Sequence, residues 1–205
     1  ETVKTIWMDH GANRTRLLYT VRGGDLELRV RPLVTDRDFH SETRAESLGA
    51  FAVEREGRRI MVRRDGEAVL RIEADRDLEF EPSDDWFWNV AHRKERARGF
   101  DFLEDLWCPG TLSIGLKEGD SFALALDADE GADPNDSWTP RDYDERQKGL
   151  ITGLADPVEQ RLALAADQFL VAHGGRAVGT VIAGYHWFGD WGRDTMISLP
   201  GLALP

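Results

Sequence analysis

The sequence predicts a mainly antiparallel β domain followed by the beginning of a helical one. Three observations carry this. Apolar residues recur with a period of two over the first two-thirds of the chain, glycine-containing turn pairs separate those runs, and the spacing becomes helical after an acidic stretch rich in Gly, Pro, Asn and Asp at 128–139.

The alternation is explicit. Leu26, Leu28 and Val30 alternate with Glu27, Arg29 and Arg31, and Ile60 and Val62 alternate with Arg59, Met61 and Arg63. Leu70 and Ile72, then Leu112, Ile114 and Leu116, then Phe122, Leu124 and Leu126 follow the same rule. Successive side chains on a strand point to opposite faces, so each run lays one apolar face on a core. Gly23-Gly24, Glu56-Gly57, Asp65-Gly66 and Glu118-Gly119 supply the turns between them. Many short strands at this spacing make an antiparallel sandwich or barrel.

One interlude, from Trp86-Phe87-Trp88 through the basic run 92–98 to Trp107, is poor in strand signal; the basic run suits a solvated helical turn. Trp86 and Trp88 are two apart, as strand residues facing one core would be, so core packing is expected for both. Asp101, Glu104 and Asp105 lack the calcium-loop pattern and are expected to brace a loop or face solvent.

After residue 139 the pattern changes. Asp156 is placed to cap a helix that Pro157 begins. Val158, Leu162, Ala165, Ala166, Phe169 and Leu170 fall on one face, and Gly174-Gly175 is expected to end it. The domain reading is therefore a β domain at 1–137, a linker at 138–156, and the first helices of a second domain at 157–205. A start at Glu1 and an end on Leu202-Ala203-Leu204-Pro205 suit an internal piece of a longer chain.

Charge and cysteine usage exclude several classes. Lys and Arg number 26 against 38 Asp and Glu, a formal net charge of −12. Phosphate backbones and anionic lipid would be repelled, so neither nucleic acid nor a membrane is an expected partner, whereas a neutral sugar meets no such penalty. Cys108 is the only cysteine, which excludes an intrachain disulfide and suits a cytoplasmic location. No apolar run approaches the ~20 residues of a membrane span. No zinc, phosphate-loop or serine-hydrolase pattern occurs, and no metal or cofactor is expected.

Chemistry concentrates at 183–195, where Tyr185, Trp187, Asp190, Trp191, Arg193 and Asp194 crowd between glycines. Aromatic faces cover the C–H faces of a pyranose, carboxylates accept from its hydroxyls, and guanidinium donates to them. The plain alternative is that Trp187 and Trp191 belong to a core and that Arg193 pairs with Asp190 or Asp194. Gly189 and Gly192 suggest unusual backbone in the loop. Asp194-Thr195 is placed to cap a helix through Met196–Leu199, with Pro200 kinking or limiting it.

Residues 180–202, from Thr180-Val181-Ile182-Ala183-Gly184-Tyr185 through Trp191-Gly192-Arg193-Asp194 to Pro200-Gly201-Leu202, resemble a motif of the glycogen-debranching amylo-α-1,6-glucosidase family. Residues 4–8 leading to 28–34, and residues 99–110, are similar to the bacterial and archaeal type of that family. His186 is a small departure from the motif. The resemblance implies an N-terminal antiparallel β-supersandwich, then an (α/α)6 barrel of which only the truncated start is present. It implies hydrolysis of α-1,6 branch points of glycogen or branched dextrin, without cofactor, and similarity to glucoamylase-like enzymes implies inversion. The chain alone is expected to be inactive. The competing function is a non-catalytic carbohydrate-binding module.

Inversion needs two carboxyls roughly 6.5–9.5 Å apart. Asp190 and Asp194 are four apart, which on a helix would put them on one face, but the glycines argue against a helix between them. A helix N-terminus and Arg193 would favour an ionised Asp194, the opposite of what a general acid needs. Asp194 is therefore expected to grip hydroxyls of the terminal glucose with Arg193, as the equivalent pair does in the glucoamylase-like barrels. The alternative is that Asp194 is itself catalytic. Otherwise the catalytic acid and base are expected beyond Pro205.

Overall fold

The predicted alternation resolves into two antiparallel sheets in a computed structural model, which describes residues 1–38, 40–128, 139–172, 179–185 and 187–203. The acidic stretch 129–138, Gly174-Gly175 and His186 lie outside the described residues. The six-stranded sheet contains β1 (Thr2–Met8), β2 (Arg14–Val21), β4 (Phe51–Glu56), β5 (Arg59–Arg64), β6 (Glu67–Ala74) and β9 (Ser121–Asp127), in the order β1-β2-β9-β6-β5-β4. A three-stranded sheet has β8 (Leu103–Leu116) between β3 (Leu26–Val30) and β7 (Glu79–Ala91). At the β5–β6 turn both Asp65 (φ 51°) and Gly66 (φ 91°) are left-handed, the geometry that matches the twist of a two-residue hairpin.

The register places the alternating residues opposite one another: Leu124 faces Leu17 and Ala74, Leu126 faces Ile72, and Ile72 faces Ile60. One apolar cluster draws on both sheets, with Tyr19, Ile60, Ile72 and Phe122 from the larger and Leu112 and Leu116 from the smaller. Burying each such side chain contributes about 1.5–3 kcal/mol. A second cluster forms around Trp107, whose indole stacks on Phe51 with centroids 4.7 Å apart and donates to Asp84 Oδ1 at 2.5 Å.

The strand-poor interlude is corrected by the structure. Its two flanks belong to β7 and β8, of 13 and 14 residues, and only α1 (Arg93–Arg98), a solvated turn of helix capped by left-handed Gly99, separates them. Two register shifts, at Pro82/Asp85 and Phe87/Val90, break the period-two pattern in β7. In β8 the pattern is broken by charge: Glu104 and Asp105 are 1% and 5% exposed. Both brace a loop, as expected. Glu104 accepts from Arg37, from the Thr43 amide at 3.1 Å and from His92 at 2.7 Å. Asp105 accepts from the Ala45 and Asn89 amides at 3.2 and 2.8 Å.

Burial pushes the Glu104 carboxyl up, but the hydrogen bonds from Arg37, the Thr43 amide and His92 outweigh it and lower its pKa from 4.5 to about 2. A carboxyl lowered on folding stabilises the fold above its unfolded pKa, and that contribution is lost as pH falls through the folded value. Here the window runs from about pH 4.5 down to about 2, and the contribution is on the order of 3 kcal/mol at neutrality. Thermal melts between pH 7 and 2.5 should therefore show Glu104→Gln less stable than the unmodified chain at pH 7, with the gap closing in acid. A gap independent of pH would reject the ion-pair account.

The chain forms two compact units, Glu1–Asp136 and Ser137–Pro205. In the second, the interval read as a linker contains helix α2 (Pro140–Leu150), begun by a reciprocal Thr139–Asp142 capping box with Pro140 in the first turn. Helix α3 (Pro157–Asp167) starts as expected, with the Asp156 carboxylate accepting from the Val158 amide at 2.8 Å. Asp167 meets Arg146 of α2 through two hydrogen bonds of 2.6 and 2.7 Å.

The end of α3 differs from expectation. Phe169 and Leu170 are not on the helix, because Leu170–Ala172 forms strand β10 and pairs with β11 (Gly179–Gly184). The sheet is completed by β12 (Phe188–Asp190), in the order β10-β11-β12. Helix α4 (Gly192–Ala203) follows and continues through Pro200. No helix among the described residues is long and apolar enough to cross a membrane.

Candidate functional site

The motif at 183–195 folds as strand, turn, strand and helix. Gly184 faces Phe188 across the β11–β12 ladder, and Ile182 faces Asp190. The helix begins at Gly192, ahead of the cap expected at Asp194-Thr195, with the Thr195 amide already bonded to Trp191 O at 2.9 Å. Asp194 is thus in the first turn rather than at the cap, a position that still suits a carboxylate near the positive end of the helix dipole. Neither Gly189 nor Gly192 has positive φ, and a Cβ at either would meet nothing within 4 Å, so neither glycine is required by the backbone there.

With the helix phased this way, Asp194, Ile197, Ser198 and Leu202 fall at i, i+3, i+4 and i+8 and share one face. That face and strand β11 enclose a groove of about 290 Å³, lined also by Phe169, Val181 and Ile182. Among the described residues its walls are apolar apart from Asp194 and Ser198, and the Ser198 hydroxyl is already bonded back to Asp194 O at 2.7 Å. Asp194 is therefore the ionisable residue among those described at the groove. Its size lies near the lower end of the roughly 300–1,000 Å³ typical of small-molecule pockets.

The other candidates divide. Arg193 reaches Asp194 at 3.9 Å, the outer limit of an ion pair, with the two side chains 81% and 38% exposed. At that distance and exposure the pair is weak, and the guanidinium stays oriented toward solvent. Trp191 is 57% exposed, which excludes core packing for it in this unit, while Trp187 is half-buried. Asp190 is on β12, exposed, and accepts from the Thr180 hydroxyl at 3.2 Å. Asp190 and Asp194 thus occupy a strand and a helix and do not share a helix face. The Tyr185 hydroxyl donates to Gln168 O at 2.6 Å and its ring lies 5.8 Å from that of Phe169. The structure therefore sets Asp194 at the groove with Arg193 next to it in the chain and facing solvent, leaves Trp191 exposed immediately before the helix, and gives Tyr185 and Asp190 bonds elsewhere.

Sequence reasoning did not identify Phe169, Ile197 and Ser198 as groove residues. The helical spacing from Asp194 was available as a signal, but it needed the helix to start at Gly192.

Residues 2–123 match the family described as glycogen debranching enzyme N terminal, and residues 164–205 match the family described as amylo-alpha-1,6-glucosidase. No curated protein matches the chain.

Proposed function

Because the chain belongs to the glycogen debranching enzyme family, we propose that its second unit carries the glucose-gripping edge of an α-1,6-glucosidase site. The observation behind this is a single carboxylate, Asp194, set in an apolar-walled groove with a guanidinium beside it. Apolar walls suit the C–H faces of a pyranose, and a carboxylate accepts charge-assisted hydrogen bonds from its hydroxyls that are stronger than neutral ones. In this reading Asp194 accepts from hydroxyls of the terminal glucose and Arg193 donates to them. The Trp191 and Trp187 indoles flank the ring, and Tyr185 and Asp190 shape the turn that carries them. The substrate is an α-glucan with α-1,6 branch points, and hydrolysis proceeds with inversion. The proton donor and the base are carboxyls of an (α/α)6 barrel of which α3 and α4 are early helices, and the β unit is an accessory β-supersandwich.

Titration of the chain with isomaltose, followed by tryptophan emission, tests the gripping role. A saturable change in the millimolar range is expected, and Arg193→Ala should weaken it roughly tenfold, the loss of one charge-assisted hydrogen bond. An identical titration curve for Arg193→Ala would reject this assignment.

A further inference from the structure

The aromatic residues of β7 form a series that continues past the core. Buried Trp107 stacks on Phe51, and Phe51 is tilted against half-buried Trp86 with centroids 6.2 Å apart. Trp88 extends the series into solvent: its ring lies 5.9 Å from that of Trp86, inclined by 33°, and the residue is 60% exposed. Core packing therefore holds for Trp86 in part and fails for Trp88. An indole left this open forgoes burial that is ordinarily worth ~2 kcal/mol or more for a large apolar side chain.

The backbone holds it there. Asn89, the next residue, has φ 54°, a left-handed conformation uncommon for a residue other than glycine, at the register shift between Phe87 and Val90. Its amide donates to the Asp105 carboxylate at 2.8 Å, and its side-chain oxygen accepts from Arg44 Nη1 at 3.4 Å. Bulges re-aim side chains, and backbone held in a sparsely populated region by its surroundings clusters at functional positions. The result is an exposed indole braced by Trp86 and followed by a residue whose backbone is held by Asp105.

We propose that the Trp86–Trp88 step is a second α-glucan-binding surface, on the β unit, which holds a linear α-1,4 segment of the polymer independently of the Asp194 groove. It rests on the family reading for the identity of the substrate. A glucan suits the surface better than other occupants. The exposed area is that of an indole set against a second one, and aromatic faces cover the C–H faces of a pyranose. The net charge of −12 disfavours an anionic membrane or nucleic acid.

Native electrophoresis of the whole chain through gels containing glycogen measures this binding. The unmodified chain should be retarded, and Trp88→Ala should raise the apparent dissociation constant about tenfold, as for an aromatic anchor. Trp88→Phe should recover part of the retardation. The melting temperature of Trp88→Ala should stay unchanged, because the side chain is exposed. Arg193→Ala should remain retarded by glycogen while its isomaltose binding weakens roughly tenfold, so the two sites fail separately. Retardation of Trp88→Ala equal to that of the unmodified chain would overturn the proposal, as would a lowered melting temperature with unchanged retardation, which would make Trp88 a packing residue. Absence of retardation in the unmodified chain would also overturn it and leave the isomaltose titration to judge the groove.

Discussion

Asp127→Ala should lower the stability of the β unit by about 3–5 kcal/mol, the cost of leaving buried charge without its partner. Arg14, Asp127 and Arg71 form one row across three neighbouring strands, β2, β9 and β6. They are 2%, 2% and 7% exposed. Arg14 Nε lies 2.7 Å from Asp127 Oδ1, and Arg71 Nη2 lies 2.7 Å from Oδ2. Arg14 also lies 3.8 Å from Asp9, which Arg16 grips through three bonds, the shortest from Nη2 at 2.7 Å. Deleting the carboxylate leaves two guanidiniums facing each other out of water. Burial pushes the Asp127 carboxyl up, but the bonds and charges of Arg14 and Arg71 overcome this and hold it below the ordinary range. A lowered carboxyl stabilises above its unfolded pKa of ~3.9 and ceases to as pH falls through the folded value. The deficit of the variant should therefore be complete at pH 7 and shrink below about pH 4. Urea denaturation at both pH values measures it. Glu145→Ala, which breaks the exposed Arg141–Glu145 pair, serves as the control and should change little. A loss below 1 kcal/mol for Asp127→Ala would show that the row relaxes or hydrates freely.

Asp194→Asn should reduce kcat/KM for branched dextrin by roughly 10–100-fold when this chain is carried in a polypeptide with a complete amylo-α-1,6-glucosidase domain. The amide still accepts one hydrogen bond but loses the charge that strengthens it, worth about 1.5–3 kcal/mol. Because a gripping residue acts on bound substrate as well as on the transition state, KM should rise and some turnover should persist. Asp194 stands in the first turn of α4, where a carboxylate complements the helix dipole. Collapse of kcat by several orders of magnitude with KM unchanged would instead make Asp194 one of the two reacting carboxyls.

Much of the β unit is legible in the sequence because its signal is local. Strands β3, β5, β6 and β9 follow from period-two runs bounded by turn pairs, and the Asp65-Gly66 turn adopts the geometry its residues favour. Strand β8 was obscured at Glu104 and Asp105, whose charges sit inside only because Arg37, His92 and the amides of residues 43, 45 and 89 converge on them. Trp88 has the strand spacing from Trp86 and its ring lies against Trp86, yet the residue is 60% exposed, because alternation does not say where along the strand the core ends. In the second unit the Thr139-x-x-Asp142 box was readable and overlooked, while the early end of α3 was not, since it depends on the pairing of Leu170 with Val181.

By itself the sequence determined strands β3, β5, β6 and β9 and the apolar face of each, the absence of an intrachain disulfide and the linear motif that carries Arg193 and Asp194. These depend on alternation and on neighbours along the chain. Tertiary structure decided which charges are interior and which member of the motif lines a groove. Arg14 and Asp127 are 113 residues apart, and neither betrays its partner, because a buried ion is tolerated only where a distant counter-charge arrives. Asp194 is selected over Asp190 in the same way: a helix that starts at Gly192 turns one toward β11, while the strand carrying the other presents it to Thr180.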